Sequence, residues 1–181
     1  MLVDGPKKLV ANSTISEMFL NEIFDTKIEV AWSKSSTSRV GKFQLDSADY
    51  EIQLDELQIH LPSGDYSVLD VGFTSDGSHV TTDKFNSAKV FGAIFNSIPE
   101  QIAEINPDVI LFGAHNKNGS VESRKSLYAK LASWFSRGSD YQYCSDWLVS
   151  KNGSYKFLAK SKPTGEDLEF LQKFVESIPQ K

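Results

Sequence analysis

The sequence predicts one α+β domain, a mixed and mostly antiparallel sheet with helices on both faces. Three observations carry this. The first half alternates apolar and polar residues: Ile28, Val30 and Trp32, then Phe43 and Leu45, then Tyr50, Ile52 and Leu54, then Leu69, Val71 and Phe73. Period two is the signature of half-buried strands. From residue 86 the period changes to that of a helix, interrupted by the wholly apolar run at 109–112. Near the end, Lys151-Asn152-Gly153 separates two strand-like segments, and Asn-Gly is a strong hairpin signal.

The elements follow in order. Residues 1–26 read as an extension carrying a short helix over 15–24, with Met18, Phe19 and Ile23 at helical spacing. Residues 27–32 read as a strand and 33–39 as a loop. Residues 41–59 read as two strands joined by a turn at Ser47-Ala48-Asp49. Pro62 and Gly64 break the chain in a loop over 60–65. Residues 66–75 form the fourth strand, and 76–85 a polar loop. Phe91, Ile94, Phe95, Ile98, Ile102 and Ile105 then make one helical stripe, with Asn86 and Ser87 as N-cap candidates. Pro99 interrupts it. Ser97 and Glu100 form a capping-box pattern around the proline, so a restarted helix and a kinked one are both open. Asn106-Pro107 ends the element. Residues 108–114 form a buried strand. Residues 123–135 form a helix with Leu127, Leu131, Trp134 and Phe135 inward, closed by Gly138. The hairpin spans 141–161. Residues 164–178 form the last helix, burying Leu168, Leu171, Phe174 and Val175.

Composition bounds the function. A chain of 181 residues suits one domain with a real core. The net charge of −5 comes with interspersed cations, which disfavours a nucleic-acid partner. Cys144 is the one cysteine, so an internal disulfide and a cysteine-rich zinc site are excluded. It is expected to be a small buried apolar residue. His60 and His79 fall in separate loops, and no carboxylate spacing joins them into a metal site. No apolar run reaches the roughly 18 residues of a membrane span, and the first 13 residues lack the apolar core of a signal peptide. The expectation is a cytoplasmic protein without a membrane partner. Oligomeric state is not readable from these features.

The strand, crossover helix, strand step over 66–114 implies one parallel pair in an otherwise antiparallel sheet. This order, with its terminal hairpin, resembles the GNAT family of N-acetyltransferases over about residues 27–160. In that family the strand before the central helix splays from the strand after it, and the pantetheine arm of coenzyme A lies in the gap. Leu127-Tyr128 is similar to a family Leu-Tyr pair whose Tyr protonates the departing thiolate. A phenol with pKa near 10 suits that role. The family's Q/R-x-x-G-x-G/A phosphate loop corresponds here to 81–88, Thr-Thr-Asp-Lys-Phe-Asn-Ser-Ala, which holds no glycine. The resemblance leaves Lys84, Asn86 and Ser87 at the helix start to meet phosphates, with Arg124 on the helix face of Tyr128. His115 follows the buried strand at a junction where α/β sheets place ligands, and is the candidate base. A second resemblance is to uncharacterised tailed-bacteriophage proteins. It rests on Val90-Phe91, on Pro107 with Ile110, Phe112 and Ala114, and on Ser123-Arg124 with Leu127-Tyr128.

Each candidate has a plain structural reading. Tyr128 packs its ring and exposes its hydroxyl, Arg124 makes a surface ion pair, His115 is an exposed loop residue, and Trp147 is core with Asp146 at its edge. Two functions follow. One is a non-enzymatic GNAT-like binding module without cofactor, a phage protein that engages a host or virion protein in the host cytoplasm. The other is an acyl-CoA-dependent N-acyltransferase, with acetyl-CoA as cosubstrate, Tyr128 as acid, and His115 or a water as base.

Overall fold

The computed structural model describes residues 28–45, 47–75, 84–115 and 121–179. The expected helix at 15–24 and most of the loop at 76–85, His79 included, lie outside them. The described strands are β1 (Ala31–Lys34), β2 (Ser38–Leu45), β3 (Ala48–Leu61), β4 (Gly64–Ser75), β5 (Val109–His115), β6 (Tyr143–Cys144), β7 (Leu148–Ser150) and β8 (Gly153–Ala159). The described helices are α1 (Lys84–Ile105), α2 (Val121–Ser136) and α3 (Gly165–Ser177). The strands form one sheet in the order β1-β2-β3-β4-β5-β8-β6, with β7 also on β8. Among the described pairs only β4 and β5 run parallel, and α1 is their crossover. The architecture is mixed α+β, mostly antiparallel.

Two cores lie on opposite faces of this sheet. One is closed by α1 and α2 and gathers Tyr50, Ile52, Leu54, Leu69, Val71, Ile110, Phe112 and Leu158 from the strands. The other is closed by α3 and gathers Ile59, Leu61, Val68, Leu111, Tyr155 and Phe157. β3 feeds both. Its even positions 50, 52 and 54 enter the first core, and its odd positions 57, 59 and 61 enter the second. Strand alternation makes this possible without a bulge. β5 is apolar on both faces, and Ile110, Leu111 and Phe112 are fully buried.

α1 is one continuous helix with Pro99 inside it. Ser97 is not a cap: its hydroxyl donates back to the Ala93 carbonyl at 2.7 Å. The helix starts at Lys84, so Asn86 and Ser87 lie within its first turn rather than capping it. The proline removes one donor from the ladder. Burial of Phe91, Ile94, Phe95, Ile98 and Ile102 outweighs that loss. Asn106, at φ 52°, closes the helix by donating its N–H to Ile102 O at 2.7 Å.

α3 begins as its sequence dictates. Thr164 caps it, and Asp167 completes the capping box. Asp167 is only 1% exposed. It also accepts from Ser63 N at 3.2 Å and Ser63 Oγ at 2.6 Å, which ties the helix to the β3–β4 turn. The Ser63 hydroxyl, ahead of the backbone donors, holds its carboxyl below the usual range.

Several expectations are corrected. The strand expected at 27–32 starts at Ala31 and runs to Lys34, because pairing with β2 spans Ala31–Lys34 against Arg39–Lys42. His60 lies in β3, not a loop, and its Nδ1 stands 2.7 Å from Asp65 Oδ1 across the turn. The segment before the Asn-Gly turn is split into β6 and β7. Ser145 causes the break: its hydroxyl, not a backbone carbonyl, accepts from Phe157 N at 2.8 Å. Its own carbonyl turns to Lys156 Nζ at 2.7 Å. Cys144 is exposed rather than buried; it lies on β6, the two-residue strand at the edge of the sheet.

Candidate functional site

The parallel pair at the centre of the sheet is closed at one end and open at the other. Its ladder spans four rungs, from Val68–Val109 to Val71–Phe112. β4 continues to Ser75 and β5 to His115. Past the last rung each strand stays paired on its outer side. Gly72, Phe73, Thr74 and Ser75 remain on β3, while Gly113, Ala114 and His115 remain on β8. Among the described residues no rung joins 72–75 to 113–115, so the sheet divides there. Glycine occupies the first unpaired position of both strands.

The closed end is clasped by side chains. Asp108 Oδ2 accepts from Ser67 N at 2.8 Å and Ser67 Oγ at 2.9 Å. The Asp108 N–H donates to Ser67 O at 3.0 Å. Tyr141 Oη donates to the Pro107 carbonyl at 2.6 Å. Burial, and then Asp108 and Asp140, push the Tyr141 hydroxyl up to about 12.

Tyr128 stands at the inner corner of the open end. It is 4% exposed, and its ring lies 5.6 Å from that of Phe112, the β5 member of the last rung. The helix-side core therefore roofs the point where the strands part. The expectation of an exposed hydroxyl does not hold. Phe95 and Trp134 meet edge to face behind it at 4.9 Å.

The remaining candidates share this end of the sheet through the backbone. His115 is the last residue of β5. Lys84, Asn86 and Ser87 fall in the first turn of α1, and Arg124 in the first turn of α2. In a parallel step each helix starts at the C-terminal end of the strand before it. The side chains of these five residues lie outside the described ones. Asp146 is exposed and Trp147 half-buried against the helix-side core, as the plain reading expects. Among the described residues no group of three His, Cys, Asp or Glu side chains is placed to hold a metal ion.

The sheet face away from α1 and α2 carries what sequence reasoning missed. Asp55 and Asp70 are direct cross-strand partners there. Tyr155 stands across from Gly113; burial, and then Asp70, raise its hydroxyl above the usual range. The signal for the open end was the glycine that follows Val71 and the one that follows Phe112. No described helix is long and apolar enough to cross a membrane. No known protein family, curated protein or solved structure matches this chain.

Proposed function

We propose that the protein is a non-enzymatic GNAT-like binding module whose ligand seats where β4 and β5 part. On its likeness to tailed-phage proteins, its partner is a host or virion protein in the host cytoplasm. The observation that carries this is the ladder that ends at Val71–Phe112 while both strands continue. Strand edges that face each other without pairing present backbone donors and acceptors to a bound chain. Two features favour binding over catalysis. Tyr128 is packed into the core, and the sequence at 81–88 offers no glycine cradle for phosphates.

The test is hydrogen exchange on the full chain in complex with a protein captured from host lysate. The expected result is slowed exchange at 72–75 and 113–115. Protection confined to other strands counts against the gap as the seat.

A second reading is acyl-CoA-dependent N-acylation. It is favoured by the position of Tyr128 against Phe112 at the corner of the gap. Tyr128 would protonate the leaving thiolate, and His115 or a water would take the amine proton. Thermal unfolding with acetyl-CoA at a hundredfold excess over its Kd separates the readings. Binding adds about 2.7 kcal/mol and raises the midpoint by several degrees. An unmoved midpoint removes the enzyme.

A further inference from the structure

The helices on the two faces of the sheet are held differently. α1 buries Phe91, Ile94, Phe95, Ile98 and Ile102. α3 buries Leu171, Val175 and one carboxylate, Asp167, with Leu168 and Phe174 partly buried beside them. Side-chain hydrogen bonds fasten α3 at three places. At its start Asp167 accepts from Ser63 N and Ser63 Oγ in the β3–β4 turn. In its middle Gln172 Nε2 donates to the Val149 carbonyl of β7 at 3.0 Å. At its end Asn152 Nδ2 donates to the Ile178 carbonyl at 3.1 Å.

Asp167 has two tasks. Its carboxylate accepts from Thr164 N at 3.1 Å, which starts the helix, and from Ser63, which docks it. Helix start and docking therefore depend on one side chain. The packing beside it is incomplete: a cavity of about 50 Å³ is lined by Leu61, Val109, Phe157, Ala159 and Leu171, among others. Atoms that face such a void lose dispersion contacts on that side. The sheet does not depend on α3. Every described strand is paired by another strand, and the core under α1 and α2 lies on the opposite face. Residues 160–164, which join β8 to α3, are neither helix nor strand.

We propose that α3 is a strap that opens as a unit while the sheet stays folded, with Asp167 and Ser63 as its latch. Proteins open in cooperative pieces, and a piece with few buried apolar contacts opens first. Opening uncovers Leu61, Val68, Leu111 and Phe157, the floor of the second core. The core under α1 and α2 stays closed. The latch lies at the closed end of the parallel pair, so the strap opens whether or not the gap holds a ligand.

The test is native-state hydrogen exchange on the full chain, read amide by amide by NMR in low concentrations of denaturant. Amides at 169–177 exchange through an opening that amides of β3, β4 and β5 do not share. Ser63→Ala removes the hydroxyl from the latch and leaves the Thr164–Asp167 cap in place. It speeds exchange in α3 by about tenfold, as loss of one hydrogen bond to a carboxylate implies, and leaves α1 and β5 unchanged. Two results overturn the proposal. One is α3 amides that exchange only together with those of β5. The other is a Ser63→Ala variant in which α3 is no faster, or in which α3 and β5 quicken equally.

Discussion

The same two strands behave differently at their two ends. At the closed end, β4 and β5 are held by four ladder rungs and by Asp108, which takes both the N–H and the hydroxyl of Ser67. Lys160 N adds a bond to Asp108 O at 3.2 Å. At the open end both strands stay paired outward, yet among the described residues no rung joins them. What differs is a short polar side chain that can reach across at one end and a glycine on each strand at the other. The ladder is closed where Asp108 clasps it and ends where a glycine follows on each strand.

Phe112→Ala is the strongest way to break this contrast. The side chain is fully buried at the residue of the last rung and carries the ring contact with Tyr128. Chemical denaturation should show a loss of about 3–5 kcal/mol. A loss below about 1 kcal/mol would mean that the corner is not packed as described.

Asp108→Ala tests the clasp. It leaves the Ser67 N–H without its side-chain acceptor, and a loss of about 2 kcal/mol is expected. If Ser67→Ala costs as much, and the double variant no more than either, the two residues act as one unit.

Tyr141→Phe removes one buried bond at the same end and should cost about 1 kcal/mol near neutral pH. Its pH dependence has a definite sign. The folded-state hydroxyl sits at about 12 against 10 when exposed. The protonated form is therefore favoured by folding. That contribution is complete below pH 10 and is lost as pH rises through about 12. The Phe variant should show a flatter alkaline limb.

Gly72→Val has the smallest expected effect. A Cβ there meets Gln53 Cβ at 3.7 Å and Gln53 O at 3.8 Å, which is ordinary contact. A β-branched residue suits a strand, so stability should hold or rise by up to about 1 kcal/mol. A clear loss would show that the glycine serves the fold rather than the opening.

Much of the fold is local and was legible. Alternation located β2, β3 and β4, and helical stripes located α1 and α3. What misled was long-range. Pro99 left a restarted and a kinked helix both open, and the stripe runs on through it because strands on either side of the helix in sequence bury it. The segment 141–150 reads as one strand, but a hydroxyl on Ser145 replaces a ladder acceptor for Phe157. The candidate site was legible in part. Tyr128 was singled out by its neighbour Leu127, and the structure puts it at the corner of the gap. Its burial depends on Phe112, which no spacing in the helix reveals.

β3 carries one more consequence. Tyr50, Ile52 and Leu54 point one way, and Leu57, Ile59 and Leu61 the other. The strand therefore works as a parity check on the whole sheet. Slipping its pairing by one residue turns all six side chains out of their cores together, so neither face can compensate for the other. A single-residue insertion between Leu54 and Leu57 inverts one set relative to the other, whereas a pair of residues preserves the parity. Length changes in this strand should be tolerated in twos and rejected in ones.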